Sequence, residues 1–138
     1  MDKPEEAGER WKQALEAYGD ARFNADHERW STAVDRAYYA VFYGVLCCLA
    51  LEDEITKTHR GASTLFGEYF VKTGKVEKGV VGKFNKLMEN RIEAGYAVQS
   101  SFTGEEVKEI LRESREVLVT LHEFLDTCLE DLDPPPEP

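Results

Sequence analysis

At 138 residues and 15.7 kDa the chain has room for one apolar core and not for two, and 42% hydrophobic with 32% charged residues excludes wholesale disorder. A formal net charge of −10 excludes a general coat for nucleic-acid backbones, which relies on clustered Lys and Arg. The longest uncharged run, Ala37 to Leu51, is 15 residues against the roughly 20 of a bilayer span, and MDKPEEAGER lacks the apolar stretch of a secretion signal, so a cytoplasmic, non-membrane location is expected.

Residues 1–6 read as a flexible acidic start, 7–132 as one helical bundle and 133–138, DPPPEP, as a flexible tail, since proline lacks the amide that would continue a helix. The first helix is predicted from about Pro4 to Phe23, with Trp11, Leu15, Tyr18 and Arg22 at helical spacing. Asn24 or Asp26 is suited to cap the second, over roughly 26–52. That helix is apolar on both sides, with Val34, Tyr38, Val41, Val45 and Leu49 on one stripe and Ala40, Phe42, Tyr43, Leu46 and Cys47 on the other, so it belongs at the centre of a bundle or in a subunit interface. Gly44 within it permits a neighbour's close approach.

Thr58 is placed to cap a shorter third helix carrying Leu65, Phe66, Tyr69 and Phe70, stopped at Gly74. A fourth begins near Val76, with Val80, Val81, Phe84, Leu87 and Met88. The stretch from Glu89 to Glu106 then reads as a pause that opens close to Arg91. Thr103 and Glu106 form a capping box for a last helix whose apolar stripe runs from Val107 to Leu132, interrupted by Ser114. No segment alternates as a strand would, so the expected fold is all-α: an antiparallel up-and-down bundle of four principal helices plus a shorter fifth.

Chemistry concentrates in a few places. Arg36, Tyr39 and Tyr43 fall at i, i+3 and i+7, which aligns a guanidinium and two phenols on one helix face. Such a set packs structurally, with Arg36 paired to a carboxylate from another helix, or serves recognition, because guanidinium groups read phosphate and rings stack on bases. Residues 57–91 hold eight basic and three acidic side chains, a local balance of +5 in a chain that elsewhere sums to −15. The cysteines, Cys47, Cys48 and Cys128, read as packed apolar groups, and His27, His59 and His122 lie too far apart in sequence for a ligand set, so neither metal nor cofactor is expected.

The order of these features resembles the small stand-alone proteins of the HEPN superfamily over about residues 10–130. The residues that carry the likeness are Trp11-Lys-x-Ala-Leu-x-Ala, Arg36-Ala-Tyr-Tyr-Ala-Val-Phe, Lys57-Thr-His-Arg-Gly with Phe66 and Phe70-Val-Lys-Thr-Gly, Asn90-Arg91 and Ala94-x-Tyr96. The resemblance implies a helical bundle that forms homodimers and is paired, as toxin to antitoxin, with a minimal nucleotidyltransferase. Many relatives are metal-independent RNases whose arginine and histidine, four to six residues apart, meet across the dimer. Arg91 holds the arginine position, but four residues intervene before Tyr96 rather than a histidine, Ile92 replaces a polar residue, and Gly95 stands where relatives of this branch carry aspartate. A phenol ordinarily titrates near 10 and is a poor proton carrier at neutral pH, so the motif is degenerate for cleavage.

The resemblance therefore implies a dimeric domain that binds RNA, a nucleotide or a nucleotidyltransferase partner. Arg91 and Tyr96 are its candidate catalytic pair, and Arg36, Tyr39, Tyr43, His59 and Asn90 its candidate ligand contacts. Two alternatives stand beside it: an active RNase in which Arg91 stabilises the cleaved phosphate while Tyr96 or His59 moves protons, and a purely structural dimerisation module.

Overall fold

A computed structural model describes residues 2–96 and 102–138. Asp2 accepts the Glu5 amide at 2.8 Å and Pro4 occupies the first turn, so α1 starts at Lys3 and runs to Asp26. It outlasts the predicted end because the Asn24 side chain donates back to the Asp20 carbonyl instead of capping the next helix. A short link in which Glu28 has a φ of 58° turns the chain, and α2, Trp30–Ala50, begins behind Arg29 with no side-chain cap. The expected Asn24 or Asp26 cap is thus corrected: α1 absorbs both residues.

Thr58 caps α3, His59–Phe66, by accepting the Gly61 amide, and a π-helical turn, Gly67–Val71, extends it towards Gly74 at φ +74°. Helix α4 spans Gly79–Tyr96, starting three residues later than the predicted Val76. It also continues through Asn90, Arg91 and Ala94, so Arg91 sits on a helix and not in a pause; the remainder of that expected pause, residues 97–101, lies outside the described residues. The capping box forms as read, with Thr103 Oγ1 accepting the Glu106 amide and Glu106 accepting the Thr103 amide, and α5 covers Gly104–Leu125.

These helices build the antiparallel bundle, and no strand occurs among the described residues. Helix α2 packs against each of the other four, which is what its all-round apolar surface requires. Taken alone it is long and apolar enough to cross a membrane; in the fold it is the central pillar, with most of its residues buried. Trp11 of α1 and Leu118 and Leu121 of α5 are buried in the core with Val41 and Val45 of α2. A Cβ on Gly44 would stand 3.0 Å from Leu121 Cδ1, so the predicted close approach is that of α5. Ser114, the interruption in the α5 stripe, is fully buried and donates to the Ala37 carbonyl at 2.8 Å.

Burial raises the thiol of Cys48 and pushes that of Cys47 up to about 12. Cys128 departs from expectation: α5 stops at Leu125, and the thiol three residues on is exposed, while Leu129 takes the buried place instead. Titration with Ellman's reagent should therefore detect one fast thiol in the native chain and all three after denaturation.

Residues 133–138 lie along α1 and α5. Trp11 Nε1 donates to the Asp133 carbonyl at 2.7 Å, Arg115 Nε to Pro136 at 2.7 Å and Arg22 Nη1 to Glu137 at 3.0 Å.

Candidate functional site

The first two turns of α2 face the last two of α4, and between them the two arginines singled out from the sequence meet. They meet at a carboxylate that the sequence reading passed over. Asp35 Oδ1 accepts from Arg91 Nε at 3.0 Å, and Asp35 Oδ2 accepts from Arg36 Nε and Nη2 at 3.3 and 3.2 Å. Arg36 was expected to pair with a carboxylate from another helix; its partner is its own neighbour, which it shares with Arg91. Two guanidinium groups around one carboxylate leave a positive charge in excess.

The aromatic floor is equally local. Tyr39 lies 4.8 Å from the Arg36 Cζ and 5.0 Å from the Arg91 Cζ, ring centroid to cation, and Tyr38 lies 5.6 Å from Arg91. Tyr43 packs on Tyr39 at 6.0 Å, one turn deeper, and belongs to the support of the site. All three charged side chains remain about one-third exposed, so their pairing adds under about 1 kcal/mol to stability. The groove that Asp35 and Arg91 border is open, with a volume of about 430 Å³, and is lined by Ser31, Thr32 and Asp35 of α2 and by Arg91, Ile92, Ala94, Gly95 and Tyr96 of α4, while Arg36 and Tyr39 lie next to it and not in its lining. Tyr96 projects into solvent there, 84% exposed. Asn90, half-buried one residue before Arg91, stands outside this set of contacts.

His59 does not line the groove. It sits behind Tyr38, whose hydroxyl is 3.0 Å from Nδ1, while Nε2 is 2.8 Å from Asn85 Oδ1 and the ring lies 4.3 Å from Phe84. An amide oxygen only accepts, so Nε2 carries a proton, and in the neutral ring Nδ1 accepts from Tyr38. The histidine thereby orients the phenol beneath Arg91. Burial, with a smaller contribution from Tyr39, raises the Tyr38 phenol well above its ordinary value, and Arg91 opposes the shift. Tyr38 read from the sequence as an ordinary core residue; its spacing from Asp35 and its neighbour Tyr39 were the only signals available.

Four of the eight basic residues of 57–91 are paired with carboxylates from other parts of the fold. Lys83 pairs with Glu116, Lys86 with Glu113, Lys75 with Glu52 and Arg91 with Asp35. Lys57, Arg60, Lys72 and Lys78 form no ion pair among the described residues, and Lys72 and Lys78 line a separate surface groove, so the Arg36–Arg91 pair is one of several cationic features of this region. Among the described residues no three His, Cys, Asp or Glu side chains gather to hold a metal ion.

The elevated groups share one sign. Tyr38, Cys47 and Cys48 bind their protons more tightly in the folded chain than in the unfolded one, so their stabilising contribution is complete below the ordinary values of 9.0 and 10.0 and falls away as pH rises from there. Urea-unfolding midpoints should stay level from about pH 7 to 8.5 and decline progressively above about pH 9.

The all-helical bundle agrees with the fold class of a HEPN domain. The sequence profile of that domain matches residues 7–124, and the chain belongs to the HEPN family. It is 33% identical over 133 residues to a UPF0332 protein of Thermotoga maritima, across 96% of this chain and 98% of that one. It is also 31% identical to a Methanocaldococcus jannaschii protein named "Putative toxin MJ0605", across 73% of this chain and 75% of that one. A second protein of that organism with the same style of name, MJ0142, is 26% identical across 71% and 67%.

Proposed function

We propose that this chain is a toxin-like HEPN protein whose α2–α4 groove binds single-stranded RNA, Arg91 and Arg36 holding a phosphate and Tyr96 stacking on a neighbouring base. One observation carries this reading: two guanidinium groups on different helices converge on a single carboxylate at the edge of an open groove that also presents an exposed tyrosine. Planar guanidinium groups match phosphate oxygens, and the hydroxyls of Ser31 and Thr32 add donors on the same wall. A base has an aromatic face whatever its identity, so stacking on Tyr96 would tolerate any sequence. The toxin names of two relatives and the family frame support an RNA ligand over other anions. In the same reading the chain works in the cytoplasm as a homodimer restrained by a nucleotidyltransferase antitoxin.

Fluorescence anisotropy with a labelled single-stranded RNA of about a dozen nucleotides tests it. Binding should appear near 50 mM salt and weaken on raising the salt, with a log–log slope of roughly −0.7 for the one phosphate that the two arginines hold. Absence of binding at that salt would sink the reading. Incubation with total RNA separates holding from cutting: cleavage by the wild-type chain that disappears in Arg91→Ala would make the groove an active site instead.

A further inference from the structure

We propose that the seam between α1 and α5 is a receptor for an extended proline-rich segment of a partner polypeptide, a site that the chain's own residues 133–138 partly fill. Pro134, Pro135 and Pro136 have no amide hydrogens, so the segment builds no ladder of its own and its carbonyl oxygens point outward as strong acceptors. The seam answers them one by one. His122 Nε2 lies 3.1 Å from the Leu132 carbonyl, Trp11 Nε1 donates to Asp133, Arg115 Nε to Pro136 and Arg22 Nη1 to Glu137. Four side-chain donors from two helices thus read four main-chain carbonyls.

The spacing fits the ligand class. Polyproline II rises about 3.1 Å per residue, so in that conformation the carbonyls of Leu132 and Pro136 would be about 12 Å apart, close to the roughly 10 Å that separates positions 122 and 115 along an α-helix. The α5 readers are in step with an extended segment antiparallel to α5, while on α1 positions 11 and 22 are about 16 Å apart and the long Arg22 side chain spans the difference. The match is to backbone, which any proline-rich segment supplies.

The chain's own segment leaves part of the seam uncovered. Beside Pro138 a groove of about 440 Å³ stays open, with Trp30 and Leu111 as apolar wall and Lys108 among its basic residues. Arg22, Arg112, Arg115 and Lys108 outnumber Asp26 and Glu116 there, although Arg112 is already engaged by Glu109 and Glu116. A segment that is longer than 133–138, proline-rich and acidic matches both the open wall and this charge. This seam shares no residue with the α2–α4 groove, so its test stands apart from RNA binding.

The probe is a labelled peptide of the sequence LDPPPEP. A full-length chain with Pro134, Pro135 and Pro136 all changed to Gly has a looser segment of its own and should bind the peptide at least tenfold tighter than the wild-type chain, where the tethered segment competes at a millimolar effective concentration. Adding Arg22→Ala and Arg115→Ala to that chain, or replacing the peptide's prolines with glycine, should each weaken binding at least tenfold. Side-chain N–H resonances of Trp11, Arg22 and Arg115 should move with the peptide. If none of them moves, in either chain, at peptide concentrations on the order of several millimolar, the seam is only part of the fold and the proposal fails. A wild-type dimer that the peptide converts to monomer would assign the seam to exchange between copies of this chain, which also overturns a separate partner.

Discussion

Arg91→Ala should weaken the binding of short single-stranded RNA by roughly tenfold to a hundredfold at 50 mM salt, the loss expected for one charge-assisted hydrogen-bonding group worth about 1.5–3 kcal/mol. Asp35→Asn should do the reverse. In the free protein the Asp35 carboxylate occupies donors of both arginines, 3.0 Å from Arg91 Nε and 3.2 Å from Arg36 Nη2. Making it a neutral amide removes a competitor that repels phosphate, while the one remaining oxygen still accepts from an arginine and keeps part of the fork in place. If the arginines served only as structural ion pairs, both substitutions would cost a little stability and neither would change anisotropy. Opposite signs in the two variants therefore discriminate, and anisotropy titrations on chains of matched circular dichroism read them directly. Either variant leaving the affinity unchanged would remove the arginines from the RNA site.

Phe84→Ala should lower the unfolding free energy by about 3–5 kcal/mol, seen as a drop in the urea midpoint with little change in slope. The ring is 1% exposed and lies parallel to Tyr38, 5.8 Å away at an interplanar angle of 6°, with Phe42 at 6.3 Å and His59 at 4.3 Å. Removing it opens a cavity that aromatic neighbours cannot collapse to fill, because each is held by another ring or by a hydrogen bond. The same substitution frees Tyr38 to tilt beneath Arg91, so RNA affinity should fall as well, though less than in Arg91→Ala. A loss below about 1 kcal/mol would mean that the cluster repacks and does not set the floor of the groove.

The fold was legible because its determinants are local and repetitive. Apolar residues at helical spacing, the Thr58 cap, the Thr103–Glu106 box and the doubly apolar α2 each point to one architecture. Boundaries were less legible where a side chain has two possible partners. Asn24 is a good cap by type, yet it bonds back to Asp20 within α1. Gly95 and the serines after it suggested an early stop, but α4 holds its register through Arg91 to Tyr96. Cys128 continues the period of α5 in sequence although the helix has already ended at Leu125.

The site was half legible. Arg36, Tyr39 and Arg91 could be chosen by residue type and spacing, and they converge. What joins them, Asp35, could not, because a lone carboxylate beside an arginine is common and only tertiary contact brings Arg91 to it. The local excess of basic residues between 57 and 91 was legible only as a count for the same reason. A count along the chain does not see Glu113 and Glu116 reaching across from α5 to Lys86 and Lys83.

The shared carboxylate has a thermodynamic corollary. Long, flexible arginine side chains ordinarily lose about 0.5–1.5 kcal/mol each in rotamer entropy when a ligand fixes them. Here both guanidinium groups are already fixed, at 3.0 and 3.2 Å from the Asp35 oxygens, so that entropy is lost on folding and not on association. An incoming anion meets a preorganised fork and exchanges with Asp35 for its donors, which favours fast, reversible engagement over tight retention.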